Sequence, residues 1–483
     1  MNGDFTRDTF DAAKHFSRVL MQQGRVQLDA DWNEQTSILL HYLRILAADI
    51  LGAGAGPADA MGFDLITKGP NADARIDAIE PDSERADALK KKVADGDVVI
   101  GTGRYYVHGV LVENHRAITY TEQPGYPFSA ETALDNLQNK ALLAYLDVWE
   151  RHITYVQDDA IREVALGGPD TCSRAQLVWQ LKALLRPDTA EQFDCTSLEG
   201  LLARELPRLR ARARLDKPPT ELCVISPGSR YRGAENQLYR VEVQQGGVAA
   251  TGAAGATFKW SRDNGSVVFP IVALSGTTVV VESLGRDDCL SLKPGDWVEV
   301  SDDDIAMGEQ AGPLAQVDTV DRDELTVTLK LPAGATSLPA YAATDAPSRH
   351  PLLRRWDHAG DLAAYGGALP ITEAPTPDQG WITLEDGVQI GFAPNGQYRA
   401  GDYWLIPARV ATGDVEWPPE LDSNGVPKRD ADGNPIPAEQ PPHGPQHYYA
   451  PLFLAPGGQE QGQDCRCAIR LSLQCPPVAA PNA

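Results

Sequence analysis

The chain has 483 residues and a formal net charge of −24 at pH 7, with 42% hydrophobic and 23% charged residues. This length predicts roughly two to four domains, and the composition is that of a folded globular protein. The acidic excess excludes nonspecific nucleic-acid binding, because affinity for a phosphate backbone comes mainly from Lys and Arg.

The start of the chain carries no targeting signal that we can identify. Residues 1–5 have neither a basic region nor a following apolar segment of the kind that directs secretion. No stretch approaches roughly eighteen uninterrupted apolar residues, the length that predicts a membrane span. We therefore expect a cytoplasmic protein that does not cross a membrane.

The first predicted element is an amphipathic helix at residues 29–51, preceded by a polar, irregular arm at residues 1–28. Apolar side chains of the helix recur at alternating spacings of four and three, and Asp29 can cap its start. Two interpretations are open, since this seam can pack on the chain's own sheets or form a short homo-oligomeric bundle. We expect the arm and the seam to form an assembly surface whose residues are Phe5, Phe10, Trp32, Leu39, Leu43, Leu46 and Ile50.

After the helix, the pattern changes to short strands. A hairpin is predicted at 104–113, with His108 and Gly109 in its turn. Longer strands are predicted at 142–154 and 174–182, and residues 188–214 have a leucine pattern that indicates a helical insertion, which Pro207 should kink or break. Further strands are predicted at 237–244, 257–261, 266–274, 277–283, 297–300, 316–320, 325–331, 381–392 and 403–409.

This spacing predicts a mainly β, multidomain chain. Antiparallel sandwiches or small barrels are favoured over a parallel α/β sheet, and a β-solenoid stays open. With the N-terminal helix and the helical insertion, the predicted regions are 1–56, 57–246, 247–345 and 346–483. Residues 417–445 are dense in Pro and Gly, which predicts a long irregular loop within the last region.

The sequence contains none of the common signatures of hydrolases, nucleotide-binding proteins or zinc proteases. With 67 acidic residues, no pair of carboxylates stands out as a candidate for glycoside hydrolysis. We therefore predict no catalytic residue and no cofactor. One cluster of polar and aromatic residues remains as a possible partner or glycan surface, although cross-strand packing explains it as well: Trp260, Arg262, Asp263 and Asn264.

No metal site is predicted either. Cys465, Cys467 and Cys475 lack the spacing of a zinc site, so we expect free or locally paired thiols. Asp430, Asp432 and Asn434 resemble half of a calcium loop, but Pro435 stands where that loop needs Gly. His443 and His447 are four residues apart, but Gly444 and Pro445 between them make a shared helix face improbable.

Five segments together resemble a bacterial family: GDFTRDTF at 3–10, MQQGRVQLDADWNE at 21–34, LDVWER at 146–151, KWSRDNG at 259–265 and GDYWLIPAR at 401–409. That family has no determined activity and is encoded with contractile, phage-tail-like injection particles. The resemblance implies a structural component of the baseplate, fibre or cap, with other particle subunits as partners. It also implies a homo-oligomer, with a trimer favoured, and it brings no catalytic residues. The alternative is a glycan-binding or glycan-hydrolysing protein carried on the same particle.

Overall fold

The computed structural model describes most of the chain. The described residues are 1–190, 192–214, 230–249, 255–285, 287–333, 335, 337–344, 346–360, 365–374, 376, 379–457 and 462–469. The protein is mainly β, as predicted, and its sheets are mostly antiparallel. No helix in these ranges combines the length and the apolar character needed to cross a membrane.

The elements of the described residues are numbered in chain order. The α-helices are α1 (Asp29–Leu51), α2 (Ala72–Ile79), α3 (Ser83–Ala94), α4 (Leu134–Leu137), α5 (Leu198–Leu202), α6 (Asp303–Met307) and α7 (Ala346–Arg349). The first strands are β1 (Gly54–Pro57), β2 (Leu65–Ile66), β3 (Val99–Ile100), β4 (Gly103–Val107), β5 (Val110–Asn114), β6 (Ile118–Thr119), β7 (Leu142–Ile153), β8 (Arg174–Leu185) and β9 (Leu209–Ala213). They are followed by β10 (Gln237–Gln245), β11 (Gly247–Val248), β12 (Thr257–Ser261), β13 (Val268–Ser275), β14 (Thr278–Val281), β15 (Trp297–Ser301), β16 (Leu314–Asp321), β17 (Thr326–Lys330) and β18 (Leu352–Trp356). The last are β19 (Leu369–Pro370), β20 (Ile382–Thr383), β21 (Val388–Phe392), β22 (Gln397–Tyr398), β23 (Tyr403–Arg409), β24 (Asp414–Val415), β25 (His447–Ala455), β26 (Gln463–Asp464) and β27 (Ala468–Ile469).

The chain divides into two compact units, each built from three separate segments. Unit 1 comprises Met1–Ile38, Glu150–Gln176 and Ala203–Gln446, and unit 2 comprises Leu39–Trp149, Leu177–Leu202 and His447–Ala483. The contiguous boundaries at residues 56, 246 and 345 remain predictions from the sequence.

Unit 1 contains a five-stranded sheet and a closed six-stranded barrel. The sheet has the order β19-β12-β10-β23-β24, and its central strand β10 places Val241 beside Trp260 on one side and Trp404 on the other. The barrel has the order β13-β14-β17-β16-β15-β18, and β13 pairs with β18 to close it. Apolar side chains that alternate along each strand fill the two cores, as a period of two requires.

Unit 2 contains two four-stranded sheets, ordered β27-β1-β4-β5 and β26-β25-β7-β8, and a small sheet ordered β2-β3-β6. Helices α2 and α3 pack their apolar faces in one core cluster with strands of the small sheet. A disulfide joins Cys195 to Cys465, although 270 residues separate them in the chain. The expectation of free or locally paired thiols was therefore wrong for Cys465, whereas Cys467 is free and exposed. Cys475 lies outside the described residues.

Several predicted elements are confirmed. Helix α1 has the predicted bounds, as do strands β12 and β23. The hairpin of β4 and β5 turns at His108 and Gly109, whose φ angles of 46° and 79° lie in the left-handed region that a two-residue hairpin turn needs. The fold prediction offered sandwiches or small barrels, and the closed six-stranded barrel is one of these small barrels.

The helical insertion at 188–214 is shorter than predicted. It contains the single-turn helix α5, and its last part is strand β9, which pairs with β21. Leu209, Ala211 and Ala213 are buried at alternate positions, which is the period of a strand. The leucines of this segment predicted a helix. Short apolar runs fit the period of a helix, 3.6 residues, and the period of a strand, two residues, about equally well, so the pattern alone does not separate the two.

Candidate functional site

Helix α1 exposes the apolar seam that the sequence predicts. The five large apolar side chains of the seam are between 58% and 71% exposed, so no sheet in the described part of the chain covers them: Trp32, Leu39, Leu43, Leu46 and Ile50. Of the two interpretations of the seam, packing on the chain's own sheets does not occur among the residues that the structure describes. Large exposed apolar patches on folded proteins mark interaction surfaces.

The opposite face of α1 holds the helix in place. Ala30 and Ile38 are buried on that side. In unit 2, the hairpin turn at Gly109 approaches the helix so closely that a Cβ atom there would lie 2.0 Å from the carbonyl oxygen of Arg44. The absence of a side chain at Gly109 therefore permits backbone-to-backbone packing on α1.

Replacing Gly109 by Ala should destabilise the protein by roughly 1–3 kcal/mol, because the new methyl group meets helix backbone and the residue has a positive φ. Gly276→Ala is the matched control, since Gly276 also has a positive φ, of 62°, but open space around its Cβ position. Urea unfolding of both variants measures the difference. Equal losses of unfolding free energy in the two variants would show that packing of the turn on α1 contributes nothing to stability.

The start of the arm is fixed to other segments of unit 1. The Asn264 side-chain amide donates to the carbonyl oxygen of Gly3 at 2.9 Å, and the ring of Phe5 contacts His152 edge-on at 5.7 Å. Phe5 and Phe10 are half-buried. Phe5 and Phe10 are predicted to belong to the assembly surface, but they do not form an open face.

The arm is also tied to the start of α1. The carboxylate of Asp29 accepts hydrogen bonds from the backbone N–H and the hydroxyl of Thr6, at 2.9 and 2.7 Å. Beyond residue 10 the arm is largely exposed. Its exposed large apolar side chains are Phe16, Leu20, Met21, Val26 and Leu28.

The predicted partner or glycan surface does not form an open face. Trp260 and Asn264 are buried, the first in the core of unit 1 and the second against the arm. Arg262 and Asp263 are half-buried, and Arg262 forms ion pairs with Asp357 and Glu385. The four residues therefore link neighbouring segments of unit 1, which is the cross-strand alternative.

A buried ionic cluster in unit 1 has no counterpart in the sequence predictions. The Lys259 ammonium is fully buried, 2.7 Å from a Glu299 carboxylate oxygen and 3.3 Å from one of Glu242. Glu242 also accepts a hydrogen bond from Arg240, at 2.5 Å. Burial opposes ionisation of Glu242, but the positive charges of Arg240 and Lys259 lower its pKa to about 2. The pairing of β10 with β12 sets Glu242 opposite Lys259, and Glu299 comes from barrel strand β15. The lysine and its two carboxylates therefore come from three separate strands, so no sequence spacing reveals the cluster.

Unit 2 has a second buried charge cluster. One carboxylate oxygen of Asp147 is 2.6 Å from Nδ1 of His447, and the other is 2.7 Å from the Lys182 ammonium. Burial acts to raise the pKa of Asp147, but the His447 hydrogen bond and the two neighbouring charges lower it overall. Both oxygens bind side chains of the same sheet, so the carboxylate links strand β7 to its neighbours β8 and β25.

A polar cavity of about 350 Å³ lies at the ends of barrel strands β15 and β18. Its lining includes Arg262, Lys293, Asp296, Arg355 and His358. His358 Nε2 lies 2.9 Å from the carbonyl oxygen of Gly367 and its Nδ1 has no hydrogen-bond partner in the described part of the chain. Positive and negative groups are interspersed in the lining, so its electrostatics favour no one class of ligand.

The candidate calcium residues form a tight turn. The Asp430 carboxylate accepts hydrogen bonds from the backbone N–H groups of Asp432 and Asn434, at 3.0 and 2.8 Å. These bonds satisfy the carboxylate locally and lower the pKa of Asp430 against the effect of burial. The turn chemistry explains the spacing of these residues.

The architecture defines a mainly β protein of two compact units that carries one helix with an exposed apolar face. The chain belongs to DUF6519, a family of unknown function, whose model matches residues 1–194 and 189–478. No curated protein and no solved structure matches the chain. The family membership therefore assigns no activity.

Proposed function

We propose that this protein is a non-catalytic structural component of a contractile, phage-tail-like injection particle and that it joins the particle through helix α1. One observation carries the proposal. Thirteen of the 23 large apolar side chains that are exposed in the described part of the chain lie between Phe16 and Ile50. A large exposed apolar surface of this kind marks a site that another molecule covers.

The sequence resemblance supports the choice of particle. One of the five resembling segments, 21–34, lies within the exposed apolar stretch from Phe16 to Ile50, so the resemblance and the exposed surface overlap at the start of α1. The β-rich units then face a neighbouring subunit or a target surface, at the baseplate, fibre or cap. Other particle subunits and further copies of this chain are the proposed partners.

The alternative function, glycan binding or hydrolysis on the same particle, has no comparable observation in its favour. Trp260 and Asn264, on which a glycan surface would depend, are buried. Aromatic side chains bind sugars through exposed ring faces, so a buried indole does not provide such a site.

The proposal predicts that loss of the seam prevents incorporation. The double variant Leu43→Gln/Leu46→Gln keeps good helix formers on α1 but places amides in the interface, where they lose water without gaining partners. Particles isolated by sedimentation from cells that carry this variant should contain less than a tenth of the normal amount of the protein. Quantitative mass spectrometry of the particle fraction measures this amount.

Val164→Gln/Leu166→Gln is the matched control, because these residues are 85% and 67% exposed but lie outside the arm and α1. The control should join the particle at normal occupancy. Point variants are preferable to deletion of residues 1–51, since residues 1–10 contact unit 1 and their removal would also weaken the fold. Normal occupancy of the seam variant would contradict the proposal.

A further inference from the structure

The buried ionic cluster of unit 1 brings an amine and two carboxylates into contact. Lys259 is 0% exposed, and Glu242 and Glu299 are 8% and 7% exposed. The Lys259 nitrogen lies 2.7 Å from Oε2 of Glu299 and 3.3 Å from Oε1 of Glu242. Because this nitrogen is sealed from external molecules, it can react only with the side chains that surround it.

The carboxylate of Glu299 has a different donor on each oxygen. The backbone N–H of Gly312 donates to Oε1 at 2.8 Å, and the indole N–H of Trp356 donates to Oε2 at 2.9 Å. A Cβ atom at residue 312 would lie 2.0 Å from the carbonyl oxygen of Val300, so the approach of this backbone requires glycine. A backbone N–H aimed at a carboxyl oxygen stabilises the negative charge that develops there when a nucleophile adds to the carbon.

We propose that Lys259 and Glu299 join in an intrachain isopeptide bond, with Glu242 as the proton carrier. The nucleophile, the carboxyl group that it attacks, the proton carrier and the N–H that holds the developing charge are then all in contact within one buried cluster. The bond links strand β12 of the five-stranded sheet to strand β15 of the barrel.

The atoms of this reaction balance. The Lys259 ammonium first gives one proton to Oε2 of Glu299 along their 2.7 Å contact, and the neutral amine then attacks Cδ of Glu299. The attacking nitrogen gives a second proton to Glu242, which passes it to Oε2. Oε2 leaves with both protons as water. One N–C bond forms and one C–O bond breaks, so the reaction needs no oxidant and no cofactor.

The two glutamates differ in a way that separates their roles. Glu242 lies farther from the nitrogen than Glu299 does, and it is also hydrogen-bonded to Arg240 at 2.5 Å. The charge of Arg240 makes Glu242 a weak base. A weak base is sufficient, because the nitrogen that has added to the carboxyl carbon is much more acidic than an ammonium.

Burial favours the amide over the ion pair. An ion pair inside a protein carries the cost of removing two charges from water, whereas the amide that replaces it is neutral. The fixed contact between the reacting groups also removes the need for an encounter between them. Each chain reacts once and turns over no substrate, so the inference goes beyond the proposed function and does not depend on it.

The test is the intact mass of the purified full-length protein after reduction and unfolding. The wild-type protein should weigh one water molecule less than its sequence requires. Trypsin does not cleave after an acylated lysine, so the segments 241–262 and 287–322 should appear as one branched peptide. Tandem mass spectrometry should locate the branch at Lys259 and Glu299. A wild-type protein at the full mass of its sequence, or a water loss located elsewhere, would overturn the inference.

Variants separate the roles of the amine and the proton carrier. Lys259→Arg retains a buried cation without the amine nucleophile, and Glu242→Gln retains the shape of the carrier without its basic oxygen. Both should have the full mass of their own sequences. Asp318→Asn is the matched control, since it removes a carboxylate that pairs with Lys330 at 2.6 Å on the barrel but is 36% exposed, and it should lose water as the wild type does. A Glu242→Gln protein with complete water loss would contradict the role of Glu242. The wild-type mass decides the presence of the bond even if a variant does not fold.

Discussion

Replacing Lys259 by Ala should destabilise unit 1 by roughly 3–5 kcal/mol, because it leaves two carboxylates without their shared counter-charge. The ammonium of Lys259 lies 2.7 Å from Glu299 and 3.3 Å from Glu242 and is fully buried. It also lies 4.4 Å from the centre of the Trp356 ring, whose indole N–H donates to the same oxygen of Glu299. The free energy of unfolding in urea measures the effect.

The control for Lys259→Ala separates the loss of charge from the loss of volume. Lys259→Met/Glu299→Gln keeps the length of both side chains but removes one charge of each sign. We expect it to be closer to the wild type than Lys259→Ala is, since breaking a buried pair on one side costs more than replacing both partners. A double variant as unstable as Lys259→Ala would show that the packing of Lys259, and not its charge, stabilises this region.

Acidification should weaken the fold steeply between about pH 6.5 and pH 4. Burial lowers the pKa of His358 and of His443 to about 4 each, and the positive charge of Lys259 or Arg240 adds to the effect. Both imidazoles are therefore neutral in the folded protein, but in the unfolded chain they titrate near pH 6.5. Within this window the unfolded chain binds more protons, so the stability falls as the pH falls.

The expected loss is roughly 3 kcal/mol for each of these histidines, since one pKa unit corresponds to about 1.4 kcal/mol. His443→Asn should flatten the pH dependence, because an amide oxygen can replace the Nδ1 atom that accepts the backbone N–H of Leu405 at 3.0 Å. His115→Asn is the control, since His115 is 83% exposed. Melting temperatures measured from pH 7 to pH 4 make the comparison. Parallel curves for His443→Asn and the wild type would contradict a role for His443.

Local patterns in the sequence determined much of the secondary structure. The four-three spacing of apolar residues gave the bounds of α1, because residues three and four apart share one face of a helix. Alternation of apolar and polar residues located β12 and β23, and the His108-Gly109 pair located a hairpin turn. The same rules overestimated the helix at 188–214, because its few apolar residues fit both a helix and a strand.

The seam itself was visible in the sequence, but its environment was not. A period of 3.6 residues identifies an apolar face without saying whether another part of the same chain covers it. The tertiary structure decided this for Leu39 and Leu43, which stay exposed, and it decided the opposite for Phe5 and Phe10, which are half-buried within unit 1. The solvent exposure of a side chain depends on how the whole chain folds, so it cannot be read from the sequence around that residue.

Long-range partners were likewise decided only by the tertiary structure. Lys259 meets Glu242 and Glu299 because strands from separate parts of unit 1 come together, and Cys195 reaches Cys465 across 270 residues. The cost of closing such loops grows only slowly with their length, so the chain accepts partners at almost any separation. The sequence by itself therefore determined the elements and the candidate docking helix, whereas the packing of distant strands determined which charges, thiols and apolar faces meet.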